Sequence, residues 1–160
     1  MDDPLKVKLL EFCDPGELVS IDGRWAILAH GPEGKCLVFL SGDGAPQRIN
    51  VKDVPTPCLS FGKAFRLLPD FSSDCDMVTP FARGALYYAS RDGKGSSVSR
   101  HLAVIAQESG IRMFLRLDDW VYASDVGVPQ GAHFASFQRW RLWMDLPPQR
   151  DATLLHAHGE

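Results

Sequence analysis

The sequence predicts a β-rich α+β fold, in which an N-terminal meander of four to five strands, short enough to curl into a small barrel, packs against a second α+β half. Two patterns carry this. Between residues 17 and 51, short β-branched and aromatic runs alternate with turn residues, and beyond residue 97 two longer segments carry helix caps and helical periodicity. The composition, 45% hydrophobic and 23% charged over 160 residues, is that of a globular domain with a self-supporting core.

The first predicted element is a short helix, with Asp2 or Asp3 as N-cap, Pro4 at its first position and Leu5, Leu9 and Phe12 on one face. Asp14-Pro15-Gly16 ends it. Strands follow at 17–21, 24–30, 35–40 and 47–51, and Asp22-Gly23 between the first two is a strong hairpin signal, because a type I′ turn needs positive φ at both central positions. In the second strand Trp25, Ile27 and Ala29 point one way and Ala26 and Leu28 the other. Cys36 reads as a buried small hydrophobe. So short and sharply turning a sheet closes to spare its edges, and the pattern resembles an SH3-like barrel in shape, with no family signature residues.

Residues 55–80 read as a proline-rich connector around a short helix bearing Phe61, Phe65 and Leu68. The second half, 81–148, opens with a strand over 85–90 and a glycine-rich turn. Residues 98–109 then read as a helix, with Ser97 as N-cap and Gly110 closing it, in competition with a strand over 102–106. A strand over 111–117 places Ile111, Met113, Leu115 and Leu117 inward and Arg112 and Arg116 outward. A helix over 132–144 is closed by Pro147-Pro148, and 149–160 is a polar, mobile tail. The expected organisation is thus a helix and meander over 1–54, the connector, the α+β half and the tail, all in one unit.

No stretch has the apolar length of a membrane span, the acidic start is unlike a secretory signal, and the four scattered cysteines form no C-x-x-C pair, so a cytoplasmic location and no membrane partner are expected. Formal charge is -3, with the acidic excess in residues 1–80. The basic concentration is Arg83, Arg91, Lys94, Arg100, Arg112 and Arg116.

The most distinctive segment is 134–144. Its aromatic residues recur every third position, at Phe134, Phe137, Trp140 and Trp143, beside Arg139 and Arg141. On a helix this spacing drifts by about 60° per step, so one buried stripe cannot hold every ring and at least one of the two tryptophans reaches the surface. If the segment is a strand, Trp140, Leu142 and Met144 share one face. Trp and Arg are enriched at protein-binding hot spots, which makes Phe137, Arg139, Trp140, Arg141 and Trp143 a candidate binding surface. The plainer reading is that the rings cover the barrel or bridge the halves.

Lys94, Gly95 and Ser96, flanked by Arg91 and Arg100, form a candidate anion site at the 92–97 glycine loop, although the spacing is not that of a P-loop and a plain flexible turn is the favoured reading. His156 and His158 share a strand face in metal-site spacing but stand near the chain end. Cys58 or Cys75 with His101, His133 or His30 supplies parts for nucleophilic chemistry without any recognisable motif. No catalytic residue, metal or cofactor is assigned. The expected function is therefore a non-enzymatic intracellular protein–protein interaction, of adaptor or inhibitor type, through the Arg/Trp surface. The alternatives are nucleic-acid binding along residues 83–116, with Trp120 or Tyr122 stacking on bases, and a small enzyme acting on an anionic molecule at the glycine loop.

Overall fold

The computed structural model describes residues 5–51, 56–70, 75–76, 82–92, 98–125, 133–144 and 152–158, with the backbone alone described at 75–76, 90–92, 98–101, 133–134 and 152–158. The chain runs through β1 (Lys6–Leu9), a single 3-10 turn (Leu10–Phe12), β2 (Leu18–Ile21), β3 (Arg24–Gly31), β4 (Gly34–Phe39) and β5 (Gln47–Asn50). Next come β6 (Pro57–Ser60), β7 (Phe65–Pro69), β8 (Cys75–Asp76), β9 (Leu86–Asp92) and β10 (Val98–Glu108). The remainder is β11 (Ile111–Arg116), β12 (Tyr122–Ala123), β13 (His133–Phe137), β14 (Arg139–Met144) and β15 (Ala152–His158).

Three antiparallel sheets result. They have the orders β1-β6-β2-β3-β4-β5, β12-β11-β10-β9-β13-β8 and β15-β14-β7. Among the described residues strands make up nearly all the regular structure and the turn Leu10–Phe12 is the one helical element, so the fold is all-β and the α+β expectation is overturned. None of the sheets closes, so the small SH3-like barrel is also absent. The meander of four strands is present as β2 to β5, but β6 returns to the opposite side of β2 and carries β1 with it, leaving an open sheet.

Each expected helix fails for a traceable reason. At the N-terminus, Lys6 to Leu9 pair with Ser60 to Pro57, and only the 3-10 turn winds. Phe65 and Leu68 lie in β7 and Phe61 packs on Trp25 with ring centroids 4.8 Å apart, because Gly62, at φ 68°, turns the chain between two strands. In β10 both faces are apolar. Val104 and Ala106 enter one core and Ala103 and Ile105 another, so a two-sided strand presents the continuous apolar run of a buried helix. The supposed helix end, Ser109-Gly110, has φ of 50° and 78° and makes the hairpin to β11. Residues 133–144 form β13 and β14, which belong to different sheets. Ala152–His158, expected as a loose tail, is β15 and pairs along β14. Among the described residues no helix is long and apolar enough to cross a membrane.

The β3 alternation stands as its sequence implies. Ile27 and Ala29, with Trp25 against them, enter the central core, while Ala26 and Leu28 enter a second core on the other face with Val19, Leu37 and Phe39. Asp22 and Gly23 have φ of 50° and 73°, as the hairpin requires, and Cys36 is buried. β11 follows its pattern at Met113 and Leu115, whereas Ile111 is exposed and Phe114 enters a third core on the far face.

The central core draws on all three sheets: Leu18, Ile27 and Val38 from the first, Leu86, Val104, Leu115 and Tyr122 from the second, and Leu67, Trp140, Leu142 and Met144 from the third. Full burial of each such large side chain stabilises by about 1.5–3 kcal/mol, and this shared core holds the third sheet against the other two.

Candidate functional site

β14 is the middle strand of the third sheet, and its six residues divide by period two. Trp140, Leu142 and Met144 are buried, and the Trp140 Nε1–H donates to the Gly84 carbonyl at 2.7 Å. On the opposite face Arg139 and Arg141 are exposed and Trp143 is half-buried. The Arg141 guanidinium carbon lies 5.5 Å from the Trp143 ring centroid, within cation–π reach.

Pairing with β7 extends this face. Arg66 stands opposite Trp143 and Leu68 opposite Arg141 in the register, so exposed Arg66 and half-buried Leu68 join the outward set. On the other side the backbone register sets His156 opposite Arg141 and His158 opposite Arg139. The outer face thus carries Arg66, Arg139 and Arg141 together with Trp143 and Leu68. Among the described residues Arg139 and Arg141 have no carboxylate partner.

Of the surface expected from sequence, Arg139, Arg141 and Trp143 are brought together on one face. Trp140 and Phe137 are buried and take no part in it. Arg66 and Leu68 were missed, because the sequence places them in a connector helix; the signal that would have found them is their alternation with the inward Phe65 and Leu67 along a strand.

The other candidates fare differently. Lys94, Gly95 and Ser96 lie outside the described residues, and Arg91 and Arg100 are located only as backbone positions in β9 and β10, opposite Ser99 and Ser90. The basic concentration of residues 83–116 is dispersed. The Arg83 side chain donates to the Gly44 carbonyl, and Arg116 forms an ion pair with Asp119. Tyr122 is buried and the Trp120 indole is held against Gly16 and Phe65, so neither ring is open to stack on a base. Cys58 faces Cys13, not a histidine. Among the described residues no three His, Cys, Asp or Glu side chains stand together as metal ligands.

A second feature lies where the first two sheets meet. Arg48 of β5 donates both Nε and Nη2 to the carboxylate of Glu108 in β10, with Nε to Oε2 at 3.0 Å, and its Nη1 donates to Asn50 Oδ1 at 2.6 Å. The Tyr122 hydroxyl donates to Glu108 Oε2 at 3.2 Å. The Arg48 guanidinium holds the Glu108 carboxyl below the ordinary glutamate range. An open cleft of about 400 Å³ lies over this pair, lined also by Gln47, Arg83, Gln107 and Ser109. Its best-placed charges already satisfy one another, so it ties the sheets together more than it offers free chemistry. Compared with protein-family models, with curated proteins and with solved structures, the chain matches none.

Proposed function

We propose that the chain is a non-enzymatic interaction protein that binds an acidic segment of a protein partner on the outer face of the third sheet. The observation that carries this is the division of β14, which spends Trp140, Leu142 and Met144 on the core and leaves Arg139, Arg141 and Trp143 outward beside Arg66. Arginine forks donate to carboxylates in bidentate fashion, and an indole with an adjacent leucine adds apolar area at low entropic cost. A merely solvated face has little need of a tryptophan between arginines.

Binding of a fluorescent glutamate-rich peptide, a lysine-rich peptide and a single-stranded oligonucleotide tests the reading. The glutamate-rich probe is expected to bind with an affinity that falls at least about tenfold in Arg139→Glu/Arg141→Glu, a loss of about 1.4 kcal/mol. Preference for the oligonucleotide, with a steep salt dependence, would transfer the face to nucleic-acid binding. Equal behaviour of the peptides and the variant would remove the proposal.

A further inference from the structure

Cys13 and Cys58 lie 45 positions apart, yet their Sγ atoms stand 3.6 Å from each other. That is van der Waals contact between sulfurs, about 1.6 Å beyond a covalent bond. Both side chains are buried, at 0% and 5% exposure. Cys36 shows how this protein uses a cysteine as a plain small hydrophobe, packed among Ile27, Ala29 and Val38. Cys13 and Cys58 instead sit together in the second core, at the point where the N-terminal turn meets β6.

The elements over the pair are slight. β1 is a four-residue edge strand, and the turn that carries Cys13 is fixed by the Leu10 N–H donating to the Thr56 carbonyl at 2.9 Å. Val7 and Phe12 on these elements are 81% and 68% exposed, so Leu10 and Cys13 are the buried apolar anchors that hold the turn down, with Lys35 Nζ donating to the Glu11 and Cys13 carbonyls. Release of a short edge element is a low-energy local opening, and it admits a small oxidant without unfolding the sheets.

We infer that Cys13 and Cys58 form a redox-sensitive pair that closes to a disulfide with hydrogen peroxide as oxidant, fastening the N-terminal edge to β6. The Cys58 sulfur attacks the peroxide O–O bond, which breaks to give a Cys58 sulfenic acid and one water. The Cys13 sulfur then displaces hydroxide from that sulfenic sulfur, and the hydroxide leaves as water with the Cys13 proton. Two thiols are oxidised and one peroxide is reduced to two waters. Cys58 takes the first step because burial pushes both thiols up, but the hydrogen bond with Cys13 offsets part of that at Cys58 while Cys13 is pushed up to about 12. Such buried thiols react slowly, so the pair answers sustained oxidant in preference to brief exposure.

The test uses the reduced, folded full chain exposed to hydrogen peroxide at neutral pH and then digested with trypsin without reduction. The four cysteines fall in separate peptides, 9–24, 36–48, 53–63 and 67–83. The expected product joins 9–24 to 53–63, is lost on adding dithiothreitol, and raises the melting temperature of the whole protein by about 5–10 °C. Cys58→Ala should show no such rise under peroxide. A disulfide through 36–48 or 67–83, sulfinic acid on unlinked Cys58, or a melting temperature lowered by the Cys13–Cys58 link would each overturn the inference.

Discussion

The indole of Trp120 covers Gly16 so closely that a Cβ placed on Gly16 would stand 2.5 Å from its Nε1. Gly16 has φ +93° and Trp120 itself φ 57°, a conformation a bulky residue adopts only when its surroundings enforce it. The enforcement is visible: the Trp120 carbonyl accepts the His30 N–H at 2.7 Å and its ring meets Phe65 at 5.6 Å. Gly16→Ala therefore suffers both strain and a clash. It should destabilise by about 2–4 kcal/mol in urea unfolding, with Trp120 fluorescence shifted towards that of an exposed indole.

The division of β14 predicts opposite costs for neighbouring substitutions. Leu142→Ala, at a site with 0% exposure, should cost about 2–5 kcal/mol. Arg141→Ala, on the outer face, should change stability by no more than about 0.5 kcal/mol. Chemical denaturation of both variants checks this, and equal costs would show that the strand is not oriented as described.

Trp140→Phe keeps most of the buried ring but removes the donor to the Gly84 carbonyl. The orphaned carbonyl should cost about 1–3 kcal/mol, beyond any packing loss. A hydrogen-exchange comparison is expected to show faster exchange in β14 than in β3.

Acid sensitivity follows from two glutamates. Burial pushes the Glu17 carboxyl up, but hydrogen bonds from Ser60, the Asp14 N–H and Lys8 outweigh it and its pKa is lowered; that of Glu108 is lowered by Arg48. A carboxyl whose folded pKa lies below its unfolded one stabilises fully above the unfolded value, about 4.3. That stability is lost as pH falls through the lower folded value. Urea midpoints measured from pH 6 down to about pH 3 should therefore fall less steeply in Glu17→Gln than in the parent chain, while the variant is already weaker by about 1–3 kcal/mol at pH 6.

Much of the first sheet was legible in the sequence. The Asp22-Gly23 turn and the alternation through Trp25, Ala26, Ile27, Leu28 and Ala29 depend on local φ/ψ preference and period-two geometry, which neighbours in the chain encode. Leu142 and Trp140 were legible only conditionally: the sequence states what a strand would bury there, and what a helix would, without choosing. The choice needed partners on both sides, and while β15 follows β14 closely, β7 comes from far earlier in the chain. β10 was misread for the related reason that both its faces are buried, which erases the alternation that marks a strand.

The candidate face divides in the same way. By itself the sequence determined that Arg139, Arg141 and Trp143 alternate with apolar residues in one short segment, because covalent spacing sets that. Only the tertiary structure decided that Trp140 turns inward, that Arg66 and Leu68 lie beside Arg141 and Trp143, and that Cys13 meets Cys58. These are contacts between residues far apart in sequence, and their free energy comes from burying a shared core, a quantity no local window contains.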